Sequence, residues 1–413
     1  MNILIVTQYF WPENFKINDL ASELVQRGHN VTVLTGVPNY PDGLVFQEFL
    51  DNPAYFSHYE GADIIRASLF PRGSSRTHLI LNYLSFVFSA SFQGLWKLRG
   101  RQFDIIFANQ LSPVTIGIPA AVMRFFKRAP LVLWVQDLWP ESLQATGVVR
   151  SRTMLWVVGK LVSLIYNRCD LILAQSKSFI MHIQKYAGSR IRVLYFPNWA
   201  ESIYEASHAI AAPEVPLKPE SFDIMFAGNI GEAQDFPAIL DAAEILKSEL
   251  KIRWLIVGGG RMDGWVFTEI KKRNLHNCVL MLGRYPVDRM PSFFKHSNVL
   301  LVSLKDEPIF SMTIPSKLQT YLAAGKPVLG MINGEGAMVI KESGSGVVCS
   351  AGNSQLLADA VLRLSAMSTE ELEDMGKNGL EYSKREFDRS NLISRLELMF
   401  DHLILARPKN EIW

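Results

Sequence analysis

Asn2-Ile3-Leu4-Ile5-Val6-Thr7 opens the chain, and Arg27-Gly28-His29-Asn30-Val31-Thr32-Val33-Leu34-Thr35 returns to the same apolar texture one helix later. Ile3–Thr7 is an apolar run of strand length. Asn18–Arg27 has helix length and stops at Gly28-His29, and Val31–Thr35 is a second strand. Strand, helix and strand in this order form a βαβ unit, and such units build parallel sheets. No basic region precedes the first run, and Gln8–Asn14 interrupts it, so the opening residues predict a buried strand rather than a secretory leader.

The pattern extends outward from there. Ile64–Ala67, Ile105–Ala108, Leu131–Val135, Leu171–Gln175 and Ile191–Tyr195 continue the first set of strands. Ala206–Pro219 then changes texture, with Pro213, Pro216 and Pro219 among small residues, as in a linker. The alternation restarts with strands at Phe222–Ala227, Arg253–Val257, Val279–Leu282, Val299–Leu304 and Pro327–Met331. Helices are expected over Phe236–Leu246, Val287–His296 and Ser316–Ala324, and a closing helix over Leu392–Leu405. The expected organisation is a first doubly wound domain over 1–205, a linker over 206–220, a second over 221–385, and a closing segment over 386–413 that packs back on the first.

With 413 residues the chain exceeds what one core accommodates and suits two domains. Its composition, 48% hydrophobic and 20% charged, is that of a globular enzyme. A formal net charge of only +2 gives no argument for a nucleic-acid partner. Cys169, Cys278 and Cys349 are odd in number and far apart, which predicts buried thiols in a reducing cytoplasm rather than disulfides or a zinc site. No uninterrupted apolar run reaches the roughly 20 residues that span a bilayer.

Three loops carry the candidate chemistry. Gln8-Tyr9-Phe10-Trp11-Pro12-Glu13-Asn14-Phe15 follows the first strand and is too bulky to cradle a dinucleotide pyrophosphate, which disfavours a dehydrogenase; Glu13 and Asn14 are candidate acceptor contacts. In the second domain Gly228-Asn229-Ile230-Gly231 and Gly258-Gly259-Gly260-Arg261 follow strands, where glycine lets backbone N–H groups approach phosphate. The third is Ile314-Pro315-Ser316-Lys317-Leu318-Gln319-Thr320-Tyr321-Leu322-Ala323-Ala324-Gly325-Lys326-Pro327-Val328. Pro315 suits a helix start, Ser316 a cap, and Gly325 an end; Lys317 and Thr320 share one face.

The third stretch resembles the donor-binding motif of glycosyltransferase family 4. Arg27–Thr35, Pro197-Asn198-Trp199, Phe226–Gly231 and Val257–Gly260 are similar to further segments of that family, so the resemblance runs through nearly the whole chain. It implies an α/β GT-B fold: two Rossmann-like doubly wound domains facing a central cleft. Trp134–Ser142 and Ile314–Val328 resemble a branch acting on lipid-linked O-antigen and capsule intermediates, nearest to N-acetyl-L-fucosamine transferases. The resemblance implies a UDP-sugar donor, a polyprenyl-diphosphate-linked acceptor at the cytoplasmic face of the inner membrane, and no metal or cofactor; no Asp-x-Asp pair is present to hold a divalent ion.

Departures from the family redistribute the roles. Its two glutamates fall at Met312 and Thr320, its diphosphate-binding Arg and Lys at Asn229 and Gln234, and its first-domain histidine at Gln136. The resemblance then places the donor on Asn229, Gly231, Gly259, Arg261, Arg284, Glu307 (or Asp306), Ser316, Lys317 and Thr320, with the base held by backbone near Gly283–Tyr285. It places Asp137 and Glu13 at the acceptor hydroxyl, with Asn14 and Gln136 as acceptor contacts. Aromatic residues with flanking cations predict an interface with anionic lipid. They are Tyr83, Phe86, Phe88, Phe92 and Trp96 with Arg72, Arg76, Lys97, Arg99 and Arg101, then Arg124-Phe125-Phe126-Lys127-Arg128. A non-catalytic partner subunit and a nucleotide-sugar 2-epimerase are the competing expectations.

Overall fold

The computed structural model describes all residues except 42, 74–75, 146–148, 150, 201–208 and 407–413, and the side chain of Arg76. Contacts divide the chain into two units, Met1–Phe196 with Ser390–Trp413, and Pro197–Arg389.

The first unit is built on an eight-stranded sheet. Its strands are β1 (Asn2–Val6), β2 (Asn30–Gly36), β3 (His58–Tyr59), β4 (Ala62–Ala67), β5 (Ile105–Gln110), β6 (Leu131–Val135), β7 (Leu171–Ala174) and β8 (Arg192–Tyr195). Their order is β3-β4-β2-β1-β5-β6-β7-β8. All pairs are parallel except β3 with β4, and β1 runs between β2 and β5 with Ile3 opposite both Val31 and Ile105. Ile3, Leu4, Ile5 and Val6 are wholly buried, as a central parallel strand covered on both faces must be. The chain winds outward from β1 on one side and from β5 on the other, so the order reverses between them. Ligands bind at such reversals, outside the carboxyl ends of the strands.

The C-terminal helix, Arg389–Leu405, belongs to the same unit. Phe400 packs against Phe107 of β5, and Glu397 accepts from Arg27 at 2.8 Å and faces His29 at 2.7 Å.

The second unit has six parallel strands: β9 (Phe222–Asn229), β10 (Ile252–Gly259), β11 (Val279–Gly283), β12 (Val299–Ser303), β13 (Val328–Met331) and β14 (Gly346–Cys349). Their order is β11-β10-β9-β12-β13-β14, with the reversal between β9 and β12. The boundary between the units lies before the proline-rich stretch. Trp199 is wholly buried and Asn198 O accepts from Gln319 Nε2 at 2.8 Å. Further along, Ala212 N donates to Ser292 O, Glu214 pairs with Arg289, and Pro216 O accepts from Arg253. The described part of the expected linker is thus pinned to the second unit by hydrogen bonds; its start, 206–208, lies outside the described residues.

The three cysteines are buried and unpaired. Although no apolar run of that length is uninterrupted, one helix among the described residues is long and apolar enough on average to cross a membrane. The helix Arg76–Lys97 meets both criteria over Thr77–Lys97, and only 33% of its apolar window is buried. Hydroxyl and amide side chains interrupt the run without adding charge, so the helix stays apolar on average.

Candidate functional site

Four elements meet at the reversal of the second sheet. β9 and β10 carry paired glycines near their ends, Gly228 and Gly258, because neither position has space for a side chain. At Gly258, φ is +137°, and a Cβ there would overlap Gly228 O. At Gly228, φ is +135°, and a Cβ would overlap Cε of Lys317. The absence of a side chain at Gly228 therefore opens the channel in which Lys317 lies.

Lys317 comes from the helix Ser316–Ala323, which is fixed to β9 by Tyr321. The Tyr321 hydroxyl accepts from Ala227 N at 3.0 Å and donates to Ala227 O at 3.1 Å. With the helix held there, Lys317 Nζ sits 3.6 Å from the centroid of the Phe226 ring. The Nζ atom is buried and has no hydrogen-bond partner among the described residues. Burial lowers its pKa to about 7. An ammonium that has lost its water and found only an aromatic face is destabilised in its charged form, and an anion placed beside it reverses that loss.

The other expected donor contacts surround this point unevenly. Asn229 is exposed at the end of β9, in register with Gly259. Gly231 and Gly260 leave room for its amide, which a Cβ at either position would crowd. Gly231 N donates to Gln234 Oε1 at 3.1 Å, so Gln234 closes this loop. Gly259 faces Asp263 and Arg284. Arg261 and Arg284 are exposed, and neither forms an ion pair among the described residues. Glu307 is half-buried at the start of the helix Pro308–Ser311, whereas Asp306 accepts from Asn333 at 2.8 Å. Thr320 is half-buried one turn after Lys317. The capping role expected of Ser316 is corrected: the cap position is Pro315, which has no side-chain bond, and Ser316 is the exposed first residue of the helix. The first turn is left open at its N-terminus, where the helix field favours an anion.

In the first unit the acidic candidates separate. Glu13 is 3% exposed, and its carboxylate accepts from Phe10 N at 3.1 Å, Asn39 N at 2.8 Å and Tyr40 N at 2.8 Å. Burial pushes its pKa up, against those three donors. Both oxygens are committed to the loop, so the expected acceptor-orienting role of Glu13 is corrected to a structural one. Asn14 beside it is exposed.

Asp137 follows β6. Burial raises its pKa to about 6, against hydrogen bonds from Ser142, Trp139 and Ser112. Trp139 Nε1 donates at 3.1 Å. Ser112 also bonds Tyr83, so one hydroxyl links the carboxyl to a phenol. Gln136 is half-buried and tied through its backbone to Gln110 and Gln175. Sequence reasoning gave no role at the site to Phe226, Tyr321, Ser112 or Tyr83; Phe226 and Tyr321 lie within stretches singled out by the resemblance, Tyr83 was read only as a membrane-facing aromatic, and nothing local marks Ser112.

A family model for a glycosyl transferase 4-like domain matches residues 15–199, and one for glycosyl transferases group 1 matches residues 210–382. The chain is 25% identical over 331 residues to the probable glycosyltransferase WbjE of Pseudomonas aeruginosa, covering 77% of this chain and 80% of that one. It is 26% identical over 347 residues to the putative colanic acid biosynthesis glycosyl transferase WcaI of Escherichia coli, covering 79% and 82%. Among solved structures it resembles Anabaena HepE, crystallised with UDP, at a TM-score of 0.69 and 15% identity over 97% of this chain and 100% of that one. With both domain models in sequence, two reversed parallel sheets and a glycine-lined cation at the second reversal, the chain belongs to the glycosyltransferases of GT-B fold that pair a 4-like domain with a group 1 domain.

Proposed function

We propose that the enzyme transfers an N-acetylated amino sugar, such as N-acetyl-L-fucosamine, from a UDP donor to a lipid-linked glycan intermediate in bacterial O-antigen, capsule or exopolysaccharide synthesis. The observation that carries this reading is Lys317, a buried ammonium without a partner at the open start of a helix and beside glycine-ended strands. The donor diphosphate supplies the missing anion. Arg261, Arg284 and backbone N–H groups share its charge, so the reaction needs no metal. In the transfer, the acceptor oxygen bonds to the anomeric carbon as the bond to the β-phosphate oxygen breaks, and the electron pair leaves with UDP. Asp137 receives the acceptor proton. The naming of WcaI as a putative colanic acid biosynthesis glycosyl transferase supports a role in polysaccharide synthesis, and the UDP complex of HepE supports a UDP donor.

The acceptor lies at a membrane in this proposal, on its cytoplasmic face. Residues 64–200 hold 17 Lys and Arg against four Asp and Glu, a net of +13 in a chain whose total is +2. The helices Arg76–Lys97, Gly117–Lys127, Arg152–Tyr166 and Lys177–Tyr186 contain no carboxylate. They expose Phe88, Phe92, Trp96, Phe125, Phe126 and Trp156. Apolar side chains bordered only by cations suit an anionic lipid surface. At least five of the expected basic contacts are engaged otherwise: Arg72 bonds Tyr9, Lys97 the carbonyl of Arg66, and Arg101 the carboxylate of Asp63, while Arg124 is bidentate to Asp170 and Lys127 caps the carbonyls of Leu98 and Arg101.

Calorimetry with UDP and GDP tests the donor assignment: UDP binds more tightly, and a preference for GDP rules the assignment out. Sedimentation with phosphatidylglycerol vesicles tests the surface. Phe92→Ser with Phe125→Ser weakens binding by about a hundredfold or more, since each buried aromatic is worth roughly 1.5–3 kcal/mol. Unchanged sedimentation of the folded double variant removes the membrane from the proposal.

A further inference from the structure

The helix Arg76–Lys97 faces two ways. Outward it exposes Leu84, Phe88, Phe92 and Trp96, which recur every fourth residue and so form one stripe. Inward it buries Asn82, Phe86 and Ala90, and at Gly94 it lies too close to Leu34 of β2 for a side chain. Its first turns are fastened to loops at the carboxyl ends of the strands. Asn82 Nδ2 donates to the backbone oxygen of Phe70 at 2.6 Å, and Asn82 Oδ1 accepts from Gln8 Nε2 at 2.7 Å. Ser85 Oγ accepts from Phe70 N at 2.9 Å. Half-buried Tyr83 stands between these anchors.

The phenol of Tyr83 is hydrogen-bonded to Ser112, and Ser112 to the carboxyl of Asp137. This chain has one direction. An ionised carboxylate only accepts, so the single proton of the Ser112 hydroxyl goes to Asp137, and the Ser112 oxygen accepts from Tyr83. Each bond in such a chain polarises the next. The phenol therefore strengthens the bond from serine to carboxylate and keeps the serine hydroxyl turned toward it.

The neighbouring groups do not duplicate this bond. Ser142, Trp139 and Leu138, which also donate to Asp137, belong to its own loop, whereas Tyr83 reaches it from a separate helix. Tyr166 of the helix Arg152–Tyr166 faces Asp137, with Glu141 also beside Tyr166, and Arg72 and Tyr40 face Tyr83. Burial raises the pKa of both Tyr83 and Tyr166, so each phenol keeps its proton where a carboxyl titrates.

We infer that Tyr83 is a positioning residue of the transfer reaction: from the lipid-facing helix it orients the Ser112 hydroxyl and, through it, the Asp137 carboxylate that receives the acceptor proton. The inference rests on the transferase function proposed for the chain and adds a residue that sets its proton acceptor. One helix thus serves the membrane on its outer face and the reaction on its inner face.

Trp139 supplies the probe, because its Nε1–H donates to Asp137 Oδ2 at 3.1 Å. Indole N–H NMR of the full isotope-labelled chain, without substrates and with the signal assigned through Trp139→Phe, follows the ionisation of Asp137. In the wild type the signal titrates with a midpoint of about 6, and in Asp137→Asn it does not titrate. Ser112→Ala raises the midpoint by about one pH unit, the loss of a hydrogen bond to a charged group. Tyr83→Phe keeps the ring and removes only the hydroxyl. It raises the midpoint by a smaller amount, about 0.2–0.5 pH unit, since one bond in a chain strengthens the next by roughly 10–30%. A purely structural Tyr83 lowers the melting temperature and leaves the midpoint in place. An unchanged or lowered midpoint in folded Tyr83→Phe, or a wild-type Trp139 signal that does not titrate, overturns the inference. Failure of the transferase function reads out separately, as a wild-type protein that does not bind UDP.

Discussion

The two sheets reverse strand order in the same way, yet the groups they leave unpaired at the reversal are opposites. The second unit leaves an unpartnered donor, Lys317 Nζ, over an aromatic ring. The first leaves unpartnered acceptors, Gln8 Oε1 and Asn109 Oδ1, next to a carboxyl with a raised pKa. Topology fixes where a ligand can sit, and side-chain polarity fixes which. The proposed donor site makes use of the first of these, an unpartnered cation that an anion completes.

The hardest test of this contrast is at Asp137. Removing a general base costs typically 10²–10⁴-fold in rate, so Asp137→Asn lowers kcat by about that much while leaving UDP binding intact. In the wild type, kcat/KM rises with pH through about 6, because only above that value is the carboxyl ionised to receive a proton. An Asp137→Asn enzyme that keeps near-wild-type turnover breaks the comparison. Glu13→Gln sharpens it: three backbone donors hold Glu13, so the variant lowers urea-denaturation stability by roughly 1–3 kcal/mol and leaves the pH profile in place.

Lys317→Ala comes next. Loss of one charged hydrogen bond to a desolvated phosphate is worth roughly 1.5–3 kcal/mol, which lowers kcat/KM for the donor about 10- to 100-fold. Exposed Arg261 contributes less, and Arg261→Ala has a smaller effect in the same assay. Wild-type kinetics for both variants places the diphosphate elsewhere.

The pH dependence of UDP binding is a gentler effect with a definite sign. Below about 7 Lys317 is already protonated, and affinity there is greatest. Above it, binding must take up a proton, so affinity falls by up to about tenfold per pH unit until the bound-state pKa is reached. Calorimetry at pH 8 in buffers of differing ionisation enthalpy reads this uptake directly. Lys317→Arg, charged throughout, shows none.

The smallest change is expected at Thr320. Thr320→Glu restores the residue that the resembled family turns toward the ribose hydroxyls, on a half-buried position one turn from Lys317, and shifts the UDP dissociation constant by no more than a few-fold. Complete loss of UDP binding in a folded Thr320→Glu protein means the ribose does not lie there.

By itself the sequence determined the two parallel α/β sheets, because short apolar runs alternating with helix-length segments have few other ways to bury their faces. It also marked Lys317, through Pro315-Ser316-Lys317 at a helix start, and Asp137 only through the resemblance carried by Trp134–Ser142. It missed β14, whose four residues Gly346–Cys349 carry too little pattern, and placed the linker too late, because proline content does not reveal that Asn198, Glu214 and Pro216 are hydrogen-bonded into the second unit. Only the tertiary structure decided what each polar group faces. Glu13 looks like an acceptor contact until donors from Phe10, Asn39 and Tyr40 converge on it. Lys317 looks like a solvated lysine until Phe226 and Gly228 enclose it. Gln8 looks like one polar residue in an aromatic loop until Asn82 takes one end of its amide and leaves the other bare. Hydrophobic periodicity is local and survives in one dimension; whether a buried polar group is satisfied depends on partners tens of residues away, and is settled only when the chain has folded around it.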